Sequence, residues 1–248
     1  MLVVRSKLYN YVAVAYAGTD DYKTALTDGD ILTSELGPTV NSSTDEGKND
    51  LRSIFDKNVP KDVRVHRGFN SNVFDSEDYR KVLNCISSAR LGGDCEGSSS
   101  TSTTDTSNIL SDYSTKTDPS SITPYKIFTT GHSLGAANSV LLGVALHLYY
   151  PNETIRSVNF GCPKIGNVEW GMYMNSLQPE DDSIALERTK KEEKFFKGSF
   201  EVFRFVNKID LVPRLPELPL LIHVGHTLQM SIGGIIRVRG CCFFCFLS

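Results

Sequence analysis

Apolar positions along the chain fall into short clusters, and the clusters alternate between strand-like and helix-like spacing. Residues 9–17 (Tyr-Asn-Tyr-Val-Ala-Val-Ala-Tyr-Ala) are rich in β-branched and aromatic residues, stop at Gly18, and read as a buried strand. The apolar opening of the chain, residues 1–7, reads as the beginning of another. Val63-Arg64-Val65-His66 predicts a short strand leading to Gly68. In residues 76–91 the apolar Tyr79, Val82, Leu83 and Ile86 recur at i, i+3, i+4 and i+7, which predicts an amphipathic helix capped by Asp75 or Ser76. Residues 127–130 then read as the end of a buried strand and residues 136–146 as a helix. Strands follow at 155–160 and 202–206, and residues 227–232 and 235–238 flank Gly233-Gly234 as a β-hairpin. The alternation predicts an α/β fold in one domain over residues 1–248, with a mostly parallel central sheet flanked by helices.

Three polar stretches interrupt this pattern. Residues 20–60 are broken by a Ser/Thr/Asp/Gly/Asn cluster at 41–50. Residues 92–123 hold too little apolar surface to form a core and predict a disordered surface insertion. Residues 178–197 are a charged excursion. With 248 residues, 40% hydrophobic, the chain is long enough to fold on one core without metal or disulfides. The net charge of −3 argues against a general nucleic-acid role, and no apolar run reaches the ~20 residues of a membrane span. Residues 1–7 lack the long apolar core of a signal peptide, so a cytoplasmic location is the default expectation and the sequons at Asn41 and Asn152 carry little weight. Six cysteines (Cys85, Cys95, Cys162, Cys241, Cys242 and Cys245) show neither a zinc spacing nor a disulfide framework, and no metal or cofactor is expected. The apolar tail at 241–248 is atypical.

The chemistry centres on Gly131-His132-Ser133-Leu134-Gly135. A G-x-S-x-G pentapeptide between a strand and a helix is a nucleophile elbow, in which the tight turn lifts the serine to the carboxyl edge of a sheet. The backbone N–H of Leu134 then points where an oxyanion forms. A serine needs an imidazole to take its proton and a carboxylate to orient that imidazole, in the chain order Ser, Asp or Glu, His. Asp210 is the best acid, because it lies just past the carboxyl end of a predicted parallel strand. Thr19, after the strand at 9–17, is the candidate for the second oxyanion donor.

Ala17-Gly18-Thr19-Asp20, Val65-His66-Arg67-Gly68-Phe69, the elbow, Asn159-Phe160-Gly161-Cys162-Pro163 and Val206-Asn207-Lys208-Ile209-Asp210-Leu211-Val212-Pro213 resemble, in order, successive landmarks of the class 3 (fungal-type) lipases. The resemblance implies an α/β-hydrolase fold and cleavage of acyl esters of lipids. It implies Ser133 as nucleophile, Asp210 as triad acid, and Thr19 and Leu134 as oxyanion donors. A lid over residues 20–31 and transient contact with a lipid interface are also implied. Ala17 stands where the family usually has Arg. The family's catalytic histidine lies in a region with no counterpart here, so His226 and His223 are the remaining downstream candidates. His223 matches a structural position of the family, and His132 one that supports the elbow. His66 reads as a structural loop residue and His147 as a helix-surface residue. The chain reads as truncated at both ends. Two functions are therefore expected in competition: a serine hydrolase of acylglycerol-type esters, and a lipase-like binding domain that lacks its base.

Overall fold

A computed structural model describes residues 1–18, 32–39, 46–76, 78–90, 126–178, 198–215, 221–231 and 234–238. Strands β1 (Leu2–Ser6) and β2 (Tyr11–Tyr16) form an antiparallel pair, and β2 continues in parallel with β5 (Lys126–His132). From there β6 (Thr154–Phe160), β7 (Phe200–Asn207) and β8 (His226–Ser231) add in parallel, and β9 (Gly234–Val238) closes the edge antiparallel to β8. The sheet order is β1-β2-β5-β6-β7-β8-β9, with β3 (Thr33–Glu35) and β4 (Arg64–His66) forming a separate ribbon. This is the expected mostly parallel sheet, with the predicted hairpin at its far edge.

Buried β-branched and aromatic side chains explain the parallel strands. Val12 and Val14 of β2, Ile127 of β5, Ile155 of β6 and Phe200 and Val202 of β7 are all fully shielded. Helix α4 (Leu134–Tyr149) is apolar nearly all round and lies in the middle of the core. Gly143 lets it settle on β7, because a Cβ there would stand 2.6 Å from the Phe200 ring.

Other helices were missed or blurred in the sequence pattern. Helix α1 (Glu46–Asn58) overlaps the polar cluster and buries Leu51 and Phe55, and its few apolar residues are too sparse for a periodicity signal. Helix α2 (Arg67–Phe74) follows β4 directly and buries Phe69, Asn70, Val73 and Phe74. Helix α3 (Asp78–Arg90) occupies the predicted 76–91 stretch with slightly shorter bounds. Helix α5 (Val168–Leu177) starts at Asn167, whose side chain accepts the Trp170 N–H, and packs Trp170 inward.

The expectation of no disulfide framework is corrected at one position. Cys85 is disulfide-bonded, and its partner is outside the described residues, so the spacing of the described cysteines could not reveal it. The predicted insertion at 92–123, the tail at 241–248 and the sequon Asn41 also fall outside the described residues.

Candidate active site

Strand β5 runs into helix α4 through Ser133, which has φ 55° and ψ −124°. A non-glycine residue rarely adopts that backbone, and holding it costs about 1–3 kcal/mol. Two glycines make the turn possible, each for its own reason. A Cβ at Gly131 would stand 2.2 Å from the Gly135 carbonyl oxygen, so Gly131 lets the elbow close on itself. A Cβ at Gly135 would stand 2.5 Å and 2.6 Å from the carbonyl oxygens of Tyr16 and Ala17, so Gly135 lets α4 rest on β2. The Ser133 N–H donates to the Phe160 carbonyl at 3.1 Å, pinning the turn to the end of β6. Leu134 opens α4, and first-turn amides have no acceptor within their own helix. Ser133 itself is buried, and its hydroxyl has no hydrogen-bond partner among the described residues.

Beneath the elbow lies a buried polar network that sequence reasoning missed. Thr129 Oγ1 donates to Ser157 Oγ at 2.9 Å, and Asn159 Nδ2 donates to the same oxygen at 2.9 Å. Ser139 Oγ bonds Asn159 Oδ1 as well as the Ala136 carbonyl. All four side chains are fully shielded from solvent. Together they tie β5, β6 and the first turns of α4 into one unit, fixing the direction from which Ser133 is presented. Alternating Thr, Ser and Asn in strands is a weak signal, because such residues are equally common on exposed faces.

Asp210 follows β7 at the same carboxyl edge. Its N–H donates to the Asn207 carbonyl at 3.0 Å, and its Oδ1 accepts the Val212 N–H at 2.9 Å, just before the 3₁₀ turn Val212–Arg214. One carboxylate oxygen is thus spent on the backbone. The other, Oδ2, lies 2.7 Å from the point where a Gly161 Cβ would be, and His132 Nε2 lies 3.5 Å from that point. Gly161 has φ 58°, and its missing side chain leaves the carboxylate and the imidazole facing one another. Both line a cavity of about 490 Å³, with Phe160, Phe205, Asn207, Ile209 and Met230.

All five histidines of the chain are among the described residues. His226 opens β8 opposite Phe203, whereas Asn207, three residues before Asp210, pairs with Met230 near the other end of that strand. The parallel register therefore puts His226 several residues back from the edge that carries Ser133 and Asp210. His223 is half-buried, with Nε2 bonded to the Pro213 carbonyl at 2.6 Å. Burial holds its pKa well below the ordinary histidine value, Arg204 and Lys164 push the same way, and the Pro213 bond opposes them. His66 stacks on Phe69 at 4.4 Å. His147 is half-buried rather than on the helix surface as expected: its ring stacks on Phe200 at 6.1 Å, and burial lowers its pKa. Only His132 shares the cavity with Asp210. Thr19 and the implied lid at 20–31 are outside the described residues. Gly18 is described, and a Cβ there would lie 3.0 Å from the His132 carbonyl, so β2 ends directly beside the elbow. No group of three or more metal-ligating side chains occurs among the described residues.

Comparison with known proteins gives the same fold. The yeast (Saccharomyces cerevisiae) protein described as putative lipase LIH1 is 36% identical over 92 residues, which is 37% of this chain and 26% of that protein. The structure of a triacylglycerol lipase from Penicillium expansum matches with a TM-score of 0.55 at 19% identity, covering 96% of this chain and 67% of that one. Lipase II from Rhizopus niveus matches with a TM-score of 0.53 at 21% identity, covering 97% of this chain and 66% of that one. At such identities the structural likeness speaks for the α/β-hydrolase fold alone. The chain spans about a quarter of the length of the curated relative it matches. The family model described as lipase (class 3) matches residues 13–219, most of the sequence. The chain belongs to the class 3 lipase family.

Proposed function

We propose that the chain is a lipase-like serine hydrolase that cleaves carboxylic esters of the acylglycerol type through an acyl-enzyme on Ser133. One observation carries this reading: Ser133 is held in a strained elbow at the same sheet edge where Asp210 Oδ2 lies beside the Gly161 backbone, in the cavity that Asp210 shares with His132. In the proposed reaction Ser133 Oγ attacks the ester carbonyl while a base takes its proton. The backbone N–H groups of Leu134 and Thr19 stabilise the oxyanion, the alcohol leaves with the proton, and water then hydrolyses the acyl group. The serine hydroxyl is shielded, so substrate entry requires its cover to move. The segment at 20–31 is the proposed lid. Phe160, Ile209 and Leu211 stand exposed at this edge and supply apolar surface for a lipid interface.

The test is Asp210→Asn. An asparagine keeps an oxygen to accept the Val212 N–H, so folding is preserved while the orienting charge is lost. Ester turnover should fall by about 10⁴-fold with the melting temperature within about 2 °C. Unchanged turnover removes Asp210 from the site. A second reading, a lipase-like binding domain without turnover, is favoured by one observation: His223 Nε2 is engaged by the Pro213 carbonyl, and His226 pairs with Phe203, several residues back from the edge that carries Asp210. Fluorophosphonate labelling separates the two. Label that disappears in Ser133→Ala supports the hydrolase.

A further inference from the structure

We propose that Asn152 carries an N-linked glycan, attached at the end of the sheet opposite the edge that holds Ser133 and Asp210. The inference goes beyond the serine-hydrolase reading and does not depend on it.

Asn152-Glu153-Thr154 is an N-x-T triplet with no proline in the middle, the acceptor pattern for N-linked sugars. Such triplets recur by chance, so the structural setting decides. Helix α4 ends at Tyr149, and the Glu153 N–H donates to the Tyr150 carbonyl at 3.0 Å. That bond closes a β-turn with Pro151 and Asn152 at its two corners, and proline at the first corner supplies the φ the turn needs. Gly198 backs the turn: a Cβ there would stand 2.4 Å from the Glu153 carbonyl oxygen and 2.5 Å from that of Pro151. The turn therefore has an inner and an outer side. Glu153 is buried, whereas Pro151 and Asn152 are exposed, and Thr154 is half-buried where β6 begins. The acceptor amide sits at the tip of a pinned loop, where a sugar extends into solvent and displaces no packed side chain.

Cys85 supplies the independent observation. It lies on α3 and is disulfide-bonded. Disulfides form and persist in oxidising compartments, including the endoplasmic reticulum lumen, and are rare in the cytosol. The same lumen is where asparagine receives its oligosaccharide. The disulfide thus gives the triplet a weight that a cytoplasmic default denies it.

The position also suits the proposed reaction. Strand β6 runs seven residues from Thr154 to Phe160, which separates its two ends by about 20 Å. The Phe160 end is pinned to Ser133 and carries the exposed Phe160, near Ile209 and Leu211. A glycan at the Thr154 end leaves that apolar edge clear for a lipid surface.

The transfer needs one co-reactant, an oligosaccharide carried on a lipid pyrophosphate. Asn152 Nδ2 forms a bond to the anomeric carbon of the sugar. The bond from that carbon to the pyrophosphate oxygen breaks, the lipid pyrophosphate leaves with the electron pair, and the amide gives up one proton.

The experiment uses the protein purified from the cells that naturally make it. Peptide-N-glycosidase in heavy-oxygen water converts a glycosylated asparagine to heavy-oxygen aspartate, and peptide mass mapping reads each sequon separately. The label is expected at position 152. Asn152→Gln and Thr154→Val, expressed in the same cells, should each lose the same single glycosidase-sensitive step in gel mobility. Thr154→Val keeps the asparagine and a β-branched residue suited to β6, and removes only the hydroxyl that the transfer reads. Two results overturn the proposal: Asn152 recovered without label from the natural protein, or a sugar at position 152 that survives Thr154→Val.

Discussion

Replacing Ser133 with alanine should stabilise the protein while abolishing its chemistry. Ser133 is 4% exposed and its hydroxyl has no hydrogen-bond partner among the described residues. Leaving a buried hydroxyl unsatisfied costs about 1–3 kcal/mol. Alanine removes the oxygen and keeps the Cβ, so the backbone strain at φ 55° is unchanged and the void left is a single atom. The lost contacts of that atom offset part of the gain, leaving a net stabilisation of about 1 kcal/mol. For a chain of this size that is a rise of about 2–4 °C in melting temperature. Ser133→Gly adds relief of the left-handed backbone, about 1–2 kcal/mol, against a greater entropy loss on folding of about 0.4–1 kcal/mol. It should therefore melt no lower than Ser133→Ala. Thermal unfolding followed by circular dichroism, with urea midpoints as a second measure, tests both variants. The direction is opposite to that of most substitutions at buried positions. A Ser133→Ala protein that melts 2 °C or more below the parent would refute the reasoning, because it would mean that the hydroxyl has a stabilising partner in the folded state.

Two further predictions follow from the same geometry. Gly135→Ala drives a methyl group into the carbonyl oxygens of Tyr16 and Ala17, both main-chain atoms that cannot swing aside, and should cost more than about 3 kcal/mol; a soluble variant with a parental melting temperature would show that α4 can shift off β2. Stability should also fall as pH drops below about 6.5, the unfolded histidine value. His147 and His223 both have lowered pKa values in the fold, chiefly through burial, so below 6.5 the unfolded chain binds protons the folded chain refuses. The limiting slope is about 1.4 kcal/mol per pH unit for each histidine, and it ends once pH passes below the folded value. Urea midpoints between pH 7.5 and 5 should show this decline, and His147→Gln with His223→Gln should flatten it; an unchanged slope in the double variant would place the pH dependence elsewhere.

What was legible in the sequence depended on how many constraints each residue carried alone. The elbow could be read because Gly131 and Gly135 are forced by main-chain collisions at 2.2 and 2.5 Å, which no other residue type relieves. The parallel strands could be read because they are rich in β-branched and aromatic residues and bury alternate positions, as in β2 and β7. Helix α1 could not, since Leu51, Ile54 and Phe55 span little more than one turn in an otherwise polar stretch. Helix α2 could not, because it begins at the residue after β4, with no loop between them to mark a boundary. His147 was misread for a related reason: nothing local announces that its neighbour will be Phe200, more than fifty residues on and brought there by the β6–β7 pairing.

The site shows the same division between local and assembled information. Ser133 and Asp210 could each be proposed from their own surroundings, a glycine-bounded turn and a strand end. Whether they meet a base could not, because that depends on register. His226 follows Asp210 in the chain, as a triad base should, yet the parallel pairing of β7 with β8 sets it beside Phe203 rather than beside Asp210. Sliding β8 to bring His226 level with Asn207 would require a shift of four residues, from Phe203 to Asn207, and would carry Met230 off the end of its partner. The cost would be the whole set of β7–β8 hydrogen bonds beyond the new overlap, several at about 1 kcal/mol each. That is too much for thermal motion to supply in the folded state. The sheet itself therefore keeps His226 away from Asp210.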